Sequence, residues 1–132
     1  MRYALDTSVL VRILTGLPQP LAANVAMALE KKRRAGDSFV VSNLVLSEAY
    51  YAVQHHYGVD KAAALEALRV LSLQRGFEFS DEAKGALALP NIAKASPGFV
   101  DRLIHGEQVA RGVKVLSCEK DFRRLPDTEL LP

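Results

Sequence analysis

Short apolar runs alternate with pairs of helix-length segments along this sequence, and that alternation constrains the fold more than any other feature. Residues 3–5 form an apolar run that ends in Asp6-Thr7-Ser8. Val9, Leu10, Ile13 and Leu14 then follow the spacing of one helix face. A buried strand therefore feeds a helix, with Asp6 at the joint. Pro18 and Pro20 mark a loop. A second helix is predicted over 21–35, with Leu21, Val25, Ala28 and Leu29 on one face and Gly36 as its stop. Lys31-Lys32-Arg33-Arg34 falls in its last turns, where cations complement the helix dipole, and reads first as a solvated helix end.

Residues 38–41 read as a strand, and Ser42 as the N-cap of a helix over 43–57 that Gly58 ends. Asp60 caps a helix over 61–73 with Leu65, Leu68 and Leu71 inward. A short strand at 77–79, a helix over 82–95, a helix over 98–111 opened by Pro97, a strand at 114–116 and an edge strand near 127–131 complete the pattern. This order is an α/β pattern, best built as a short central parallel sheet of four to five strands with helices on both faces.

The 132 residues, 49% hydrophobic and 24% charged, suit one domain over 1–132 with a real core. A formal charge of +2 neither requires nor forbids a nucleic-acid partner, because a local patch suffices. The single cysteine, Cys118, cannot make an internal disulfide and reads as a small buried strand residue. No run approaches the ~18 apolar residues of a membrane helix, and no signal-like apolar run opens the sequence. The expectation is a cytoplasmic protein with no membrane association.

The acids carry the chemistry. In open parallel sheets ligands bind at the carboxyl ends of the strands. Asp6 ends the first strand, and Glu119 and Asp121 follow the strand at 114–116. Glu48 lies between Leu44 and Ala52 on its helix, an apolar sector by periodicity, where a carboxylate must be paired, protonated or bound to a cation. Asp101 sits among Val100, Leu103 and Ile104. Converging carboxylates repel, and a divalent cation between them relieves the cost. Mg²⁺ or Mn²⁺ prefers such oxygen ligands, activates water and clamps a phosphate, which is phosphodiester hydrolysis chemistry. Each acid also has a plain structural reading. Asp6 suits a helix N-cap, Glu48 a surface position, Asp101 a first-turn acid favoured by the dipole, and Glu119 and Asp121 turn residues.

Four segments together resemble the PIN domain family, and in size and layout the VapC-type toxins of bacterial toxin–antitoxin pairs. They are Met1-Arg2-Tyr3-Ala4-Leu5-Asp6-Thr7-Ser8-Val9-Leu10, Ser47-Glu48, Gly98-Phe99-Val100-Asp101-Arg102-Leu103-Ile104 and Val115-Leu116-Ser117-Cys118-Glu119-Lys120-Asp121-Phe122. The resemblance spans essentially the whole chain and implies a PIN-like three-layer sandwich. It implies that Asp6, Glu48 and Asp101 bind Mg²⁺ (or Mn²⁺) and support RNA cleavage. Similar sequences usually read Thr-x-Asp-x-Asp-Phe in the last segment. Here Glu119, one methylene longer, stands at the fourth acid position, with Asp121 as its neighbour and Ser117 in place of Thr. Ser8 replaces a more common Asn. Both serines keep a polar atom able to orient a carboxylate, or they cap. The resemblance further implies a homodimer and a VapB-like antitoxin that covers the acidic groove.

Arg102, Arg123 and Arg124 adjoin the expected site and are candidates for contact with RNA phosphates. His55, His56 and His105 form no zinc pattern, and His105 reads as a helix-surface residue. Apolar residues over 44–53 and 65–71 suggest burial by a partner. The alternative to a nuclease is a catalytically silent PIN-like module that binds RNA or protein, a reading favoured by Glu119. A receiver-type phosphoacceptor is disfavoured because Thr7 and Ser8 follow Asp6 and Ser42 ends the 38–41 strand.

Overall fold

A computed structural model describes residues 1–132. Its backbone divides into two compact units, Met1–Ser80 and Asp81–Pro132. The first holds β1 (Arg2–Ala4), α1 (Thr7–Thr15), α2 (Leu21–Arg34), β2 (Ser38–Val40), α3 (Asn43–His55), α4 (Lys61–Ser72) and β3 (Phe77–Glu78). The three strands form one sheet in the order β1-β2-β3, every pair parallel, with Tyr3 opposite Phe39 and Phe39 opposite Phe77. Two helices separate each strand from the next, as parallel pairing demands a crossover rather than a hairpin. The helices pack chiefly α1 on α3 and α2, and α3 on α4. Leu10, Phe39, Val41, Leu46, Val53 and Leu68 are all buried and form the core. Ser42 caps α3 by accepting the Val45 N–H at 3.2 Å.

The second unit holds α5 (Asp81–Ala88), a 3-10 turn (Ile92–Lys94), α6 (Phe99–Val109), β4 (Val115–Ser117), a 3-10 helix (Lys120–Arg124) and β5 (Thr128–Leu130). β4 and β5 pair in parallel, with Leu116 opposite Glu129. Ala83, Leu87, Phe99, Leu103 and Phe122 build its core. All five strands thus pair in parallel, in hydrogen-bonded ladders of three and two. No helix is long and apolar enough to cross a membrane.

Four readings of the sequence need correction. The helix expected over 82–95 stops at Ala88, because Pro90 offers no N–H and disfavours helical backbone at Leu89. Cys118 is exposed, since it lies just past β4 rather than inside it. His105 is buried, and its Nε2 donates to the Pro126 carbonyl, tying α6 to the segment before β5. Leu65, Leu68 and Leu71 are core residues of α4, so the apolar surface left open on that helix is Val70, with Leu73 just beyond its end.

Candidate active site

The turn from β1 into α1 fixes the first acid. Asp6 has extended backbone and caps α1, its Oδ1 accepting the Val9 N–H at 3.1 Å and the Ser8 hydroxyl at 2.6 Å. The Ser8 hydroxyl first, then the Val9 N–H, holds the Asp6 carboxyl below the usual carboxylate range. Asp6 is therefore an exposed, fixed anion at the carboxyl end of β1. Asp6, not Ser8, is the cap, and Ser8 orients it through the same Oδ1.

Glu48 departs from expectation. The buried face of α3 is Leu46, Ala49, Tyr50 and Val53. Leu44 is 70% exposed, and Glu48 and Tyr51 are exposed with it. The consecutive run Leu44-Val45-Leu46 allows two helix phases, and core packing selects the one that turns Glu48 to solvent. No hydrogen bond or ion pair joins it to Asp6, although α1 and α3 are packed partners.

In the second unit two acids act on a third. Asp101 lies in the first turn of α6 and is partly buried. Burial first, then the charges of Asp121 and Glu119, raises its pKa above the usual carboxylate value. These outweigh the favourable helix N-terminus, whose effect on an acid is modest. Asp121 accepts the Ser96 hydroxyl on Oδ2 at 2.6 Å. Glu119 is exposed, and its backbone N–H donates to the Ser117 hydroxyl at 3.0 Å, which shapes the turn after β4. Ser96 had no signal in the sequence beyond its place before Pro97.

Two of the candidate arginines serve this same loop. Arg102 Nε donates to the Pro97 carbonyl at 2.8 Å, and Arg124 Nη1 to the Ser96 carbonyl at 2.9 Å. Arg123 is exposed and makes no such bond.

No group of three or more His, Cys, Asp or Glu side chains is arranged to enclose a metal ion. The donor chemistry nonetheless fits a hard cation. Mg²⁺ keeps several waters and takes one or two carboxylates, so a closed protein cage is not required. Asp101, destabilised as an anion beside two further acids, is the kind of ligand that a cation relieves.

A solved structure of VapBC2 from Rickettsia felis, bound to a DNA fragment from their promoter, is similar at 19% sequence identity. It covers 99% of this chain and 98% of that chain, with a TM-score of 0.44. No curated relative matches. The PIN domain family model matches residues 3–127, a span that runs from β1, through the acids at Asp6, Glu48, Asp101, Glu119 and Asp121, to the residue before β5. By that match the chain belongs to the PIN domain family.

Proposed function

We propose that this protein is a divalent-metal-dependent endoribonuclease of the VapC toxin type. The observation that carries the reading is the placement of its acids within a PIN chain. Asp6 is fixed at the carboxyl end of β1, and Asp101 shares one electrostatic neighbourhood with Glu119 and Asp121. Mg²⁺ or Mn²⁺ would be held by Asp6, Asp101, Glu48 and Glu119, and would supply Lewis acidity to activate water and neutralise charge on the scissile phosphate. The chain's own residues do the positioning. Ser8 and the first turn of α1 hold the Asp6 carboxylate, Ser96 holds Asp121, and Ser117 sets the backbone that presents Glu119.

A VapB-like antitoxin and a homodimer belong to the same reading. Leu44, Tyr51, Val70 and Leu73, large apolar residues at 44–71% exposure on α3, on α4 and just past its end, are the surface such a partner would cover. A solution mass of one chain at micromolar concentration removes the homodimer.

The test is cleavage of a mixed-sequence RNA by purified protein with Mn²⁺, with Mg²⁺ and with chelator. Asp6→Asn/Asp101→Asn protein, purified identically, controls for contaminating nucleases. Metal-dependent cleavage that the double variant loses supports the nuclease. Equal behaviour of the two proteins under every metal sinks it and leaves the silent RNA- or protein-binding module.

A further inference from the structure

The basic run Lys31-Lys32-Arg33-Arg34 does not end in solvent alone. It joins other cations at the amino ends of the three-stranded sheet. Lys32 Nζ lies 4.3 Å from the Tyr3 ring centroid, which places it beside β1. Arg33 Cγ would stand 3.3 Å from a Cβ built on Gly76, so the end of α2 abuts the turn that carries Arg75 into β3. Arg2 begins β1. The backbone closes the group, with Asp37 N–H donating to Lys32 O and Ser38 N–H to Met1 O.

The acids within this edge are already engaged. Glu30 pairs with Arg33 at 2.7 Å and with Arg34 at 3.1 Å. Asp37 pairs with the amino terminus at 3.0 Å, and Glu78 with Arg2 at 2.9 Å. Six basic side chains face three acidic ones here, a side-chain balance of +3 against +2 for the whole chain, so the rest of the protein is net negative. Lys31 and Arg75 are exposed without an ion-pair partner, and the Arg34 side chain is 78% exposed. The edge is a local positive field on an otherwise slightly acidic surface, and a chain of phosphates is the ligand that matches it.

We propose that this edge is a second phosphate-binding surface for RNA, opposite the Asp6 end of β1. The choice of RNA rests on the nuclease reading; the positive field does not.

The probe is the binding of a fluorescent 20-nucleotide mixed-sequence RNA to the full chain in chelator, across 50–300 mM salt, where cleavage plays no part. The variant is Lys31→Ala/Arg34→Ala/Arg75→Ala. A charge-matched control, Lys61→Ala/Lys94→Ala/Arg111→Ala, removes three exposed cations elsewhere. At roughly 0.7 counterions released per single-strand phosphate contact, loss of three contacts flattens the log–log salt slope by about 2. We expect the 20-nucleotide RNA to bind the edge variant at least tenfold more weakly than the control. Equal binding of the long RNA to edge variant and control overturns the surface. So does tighter binding of a 20-base-pair DNA duplex than of the RNA. Failure of the nuclease reading would show instead as intact long-RNA binding with no cleavage under any metal.

Discussion

Two glycines in adjacent helices should respond with opposite sign to the same substitution. A Cβ built on Gly106 of α6 falls 2.4 Å from Glu82 Cβ and 3.1 Å from its Cγ. The nearer atom is fixed to the α5 backbone and cannot rotate away, so α5 and α6 must separate by about 1 Å to reach ordinary contact. Overpacking of this kind costs ~1–3 kcal/mol. Alanine returns ~1 kcal/mol of helix propensity over glycine, leaving Gly106→Ala destabilising by about 0–2 kcal/mol. Gly85 of α5 has nothing within 4 Å of its built Cβ, so Gly85→Ala keeps the propensity gain alone, about 0.5–1 kcal/mol. The two variants should differ by about 2 kcal/mol, or roughly 8 °C in melting temperature at ~4 °C per kcal/mol. Thermal melts by circular dichroism and urea titrations read both. Gly106→Ala melting at or above Gly85→Ala would refute the close approach of α5 and α6, and with it the support on which Asp101 stands.

The α3 phase is open to the same kind of measurement. Leu46→Ala should cost about 2–5 kcal/mol because Leu46 is fully buried, whereas Glu48→Ala should move stability by less than ~0.5 kcal/mol because Glu48 faces water. A large loss at Glu48 in urea titrations would restore the buried phase. Asp101 gives a pH signature. Its folded pKa is raised, so the charged form is the one the fold disfavours, and its contribution is favourable below the unfolded aspartate pKa of ~3.9 and is lost as pH rises through the folded value. Asp101→Asn should therefore raise the melting temperature at pH 7 in chelator, with the gain shrinking as pH falls through the raised folded pKa and gone by about 3.9. A gain that is constant with pH would place its cause outside the charge.

How much was legible follows from how local each signal is. The helix starts at Asp6 and Ser42 were readable because a capping residue is set by its own side chain and the following turn, whereas Asp60 stands at the N-cap position of α4 without a side-chain capping bond. The end of α5 was readable in principle from Pro90, but helix-like spacing on either side of it masked the break. The face of α3 was not readable, because a helix with apolar residues on more than one side has no single phase until its neighbours choose one. Cys118 and His105 exchanged environments for a similar reason. One lies a residue beyond a three-residue strand, and the other depends on the Pro126 carbonyl, 21 residues away in sequence. The five parallel strands were legible, yet their division into ladders of three and two depends on backbone partners that no periodicity encodes.

Each candidate acid had a structural reading that competed with its functional one, and the structure shows why the competition is false for Asp6. A carboxylate that is to meet a ligand at a strand end must be held there, and the cheapest restraint on offer is the row of unpaired N–H groups at the start of the next helix. Asp6 caps α1 through Oδ1, and the Ser8 hydroxyl on that same oxygen completes the restraint. The same economy recurs beyond β4, where Ser117 accepts the Glu119 N–H, and at Asp121, where Ser96 donates to one oxygen. Glu48 lacks the restraint that Asp6 and Asp121 have. It stands on the exposed face of α3 with no restraint from a serine or a cap, and its carboxylate is positioned by the helix alone. If Glu48 takes part in metal binding, it has more side-chain freedom to lose than Asp6. Glu48→Gln should then weaken cation affinity less than Asp6→Asn does, and a larger loss at Glu48 would show that the restraint on Asp6 contributes nothing.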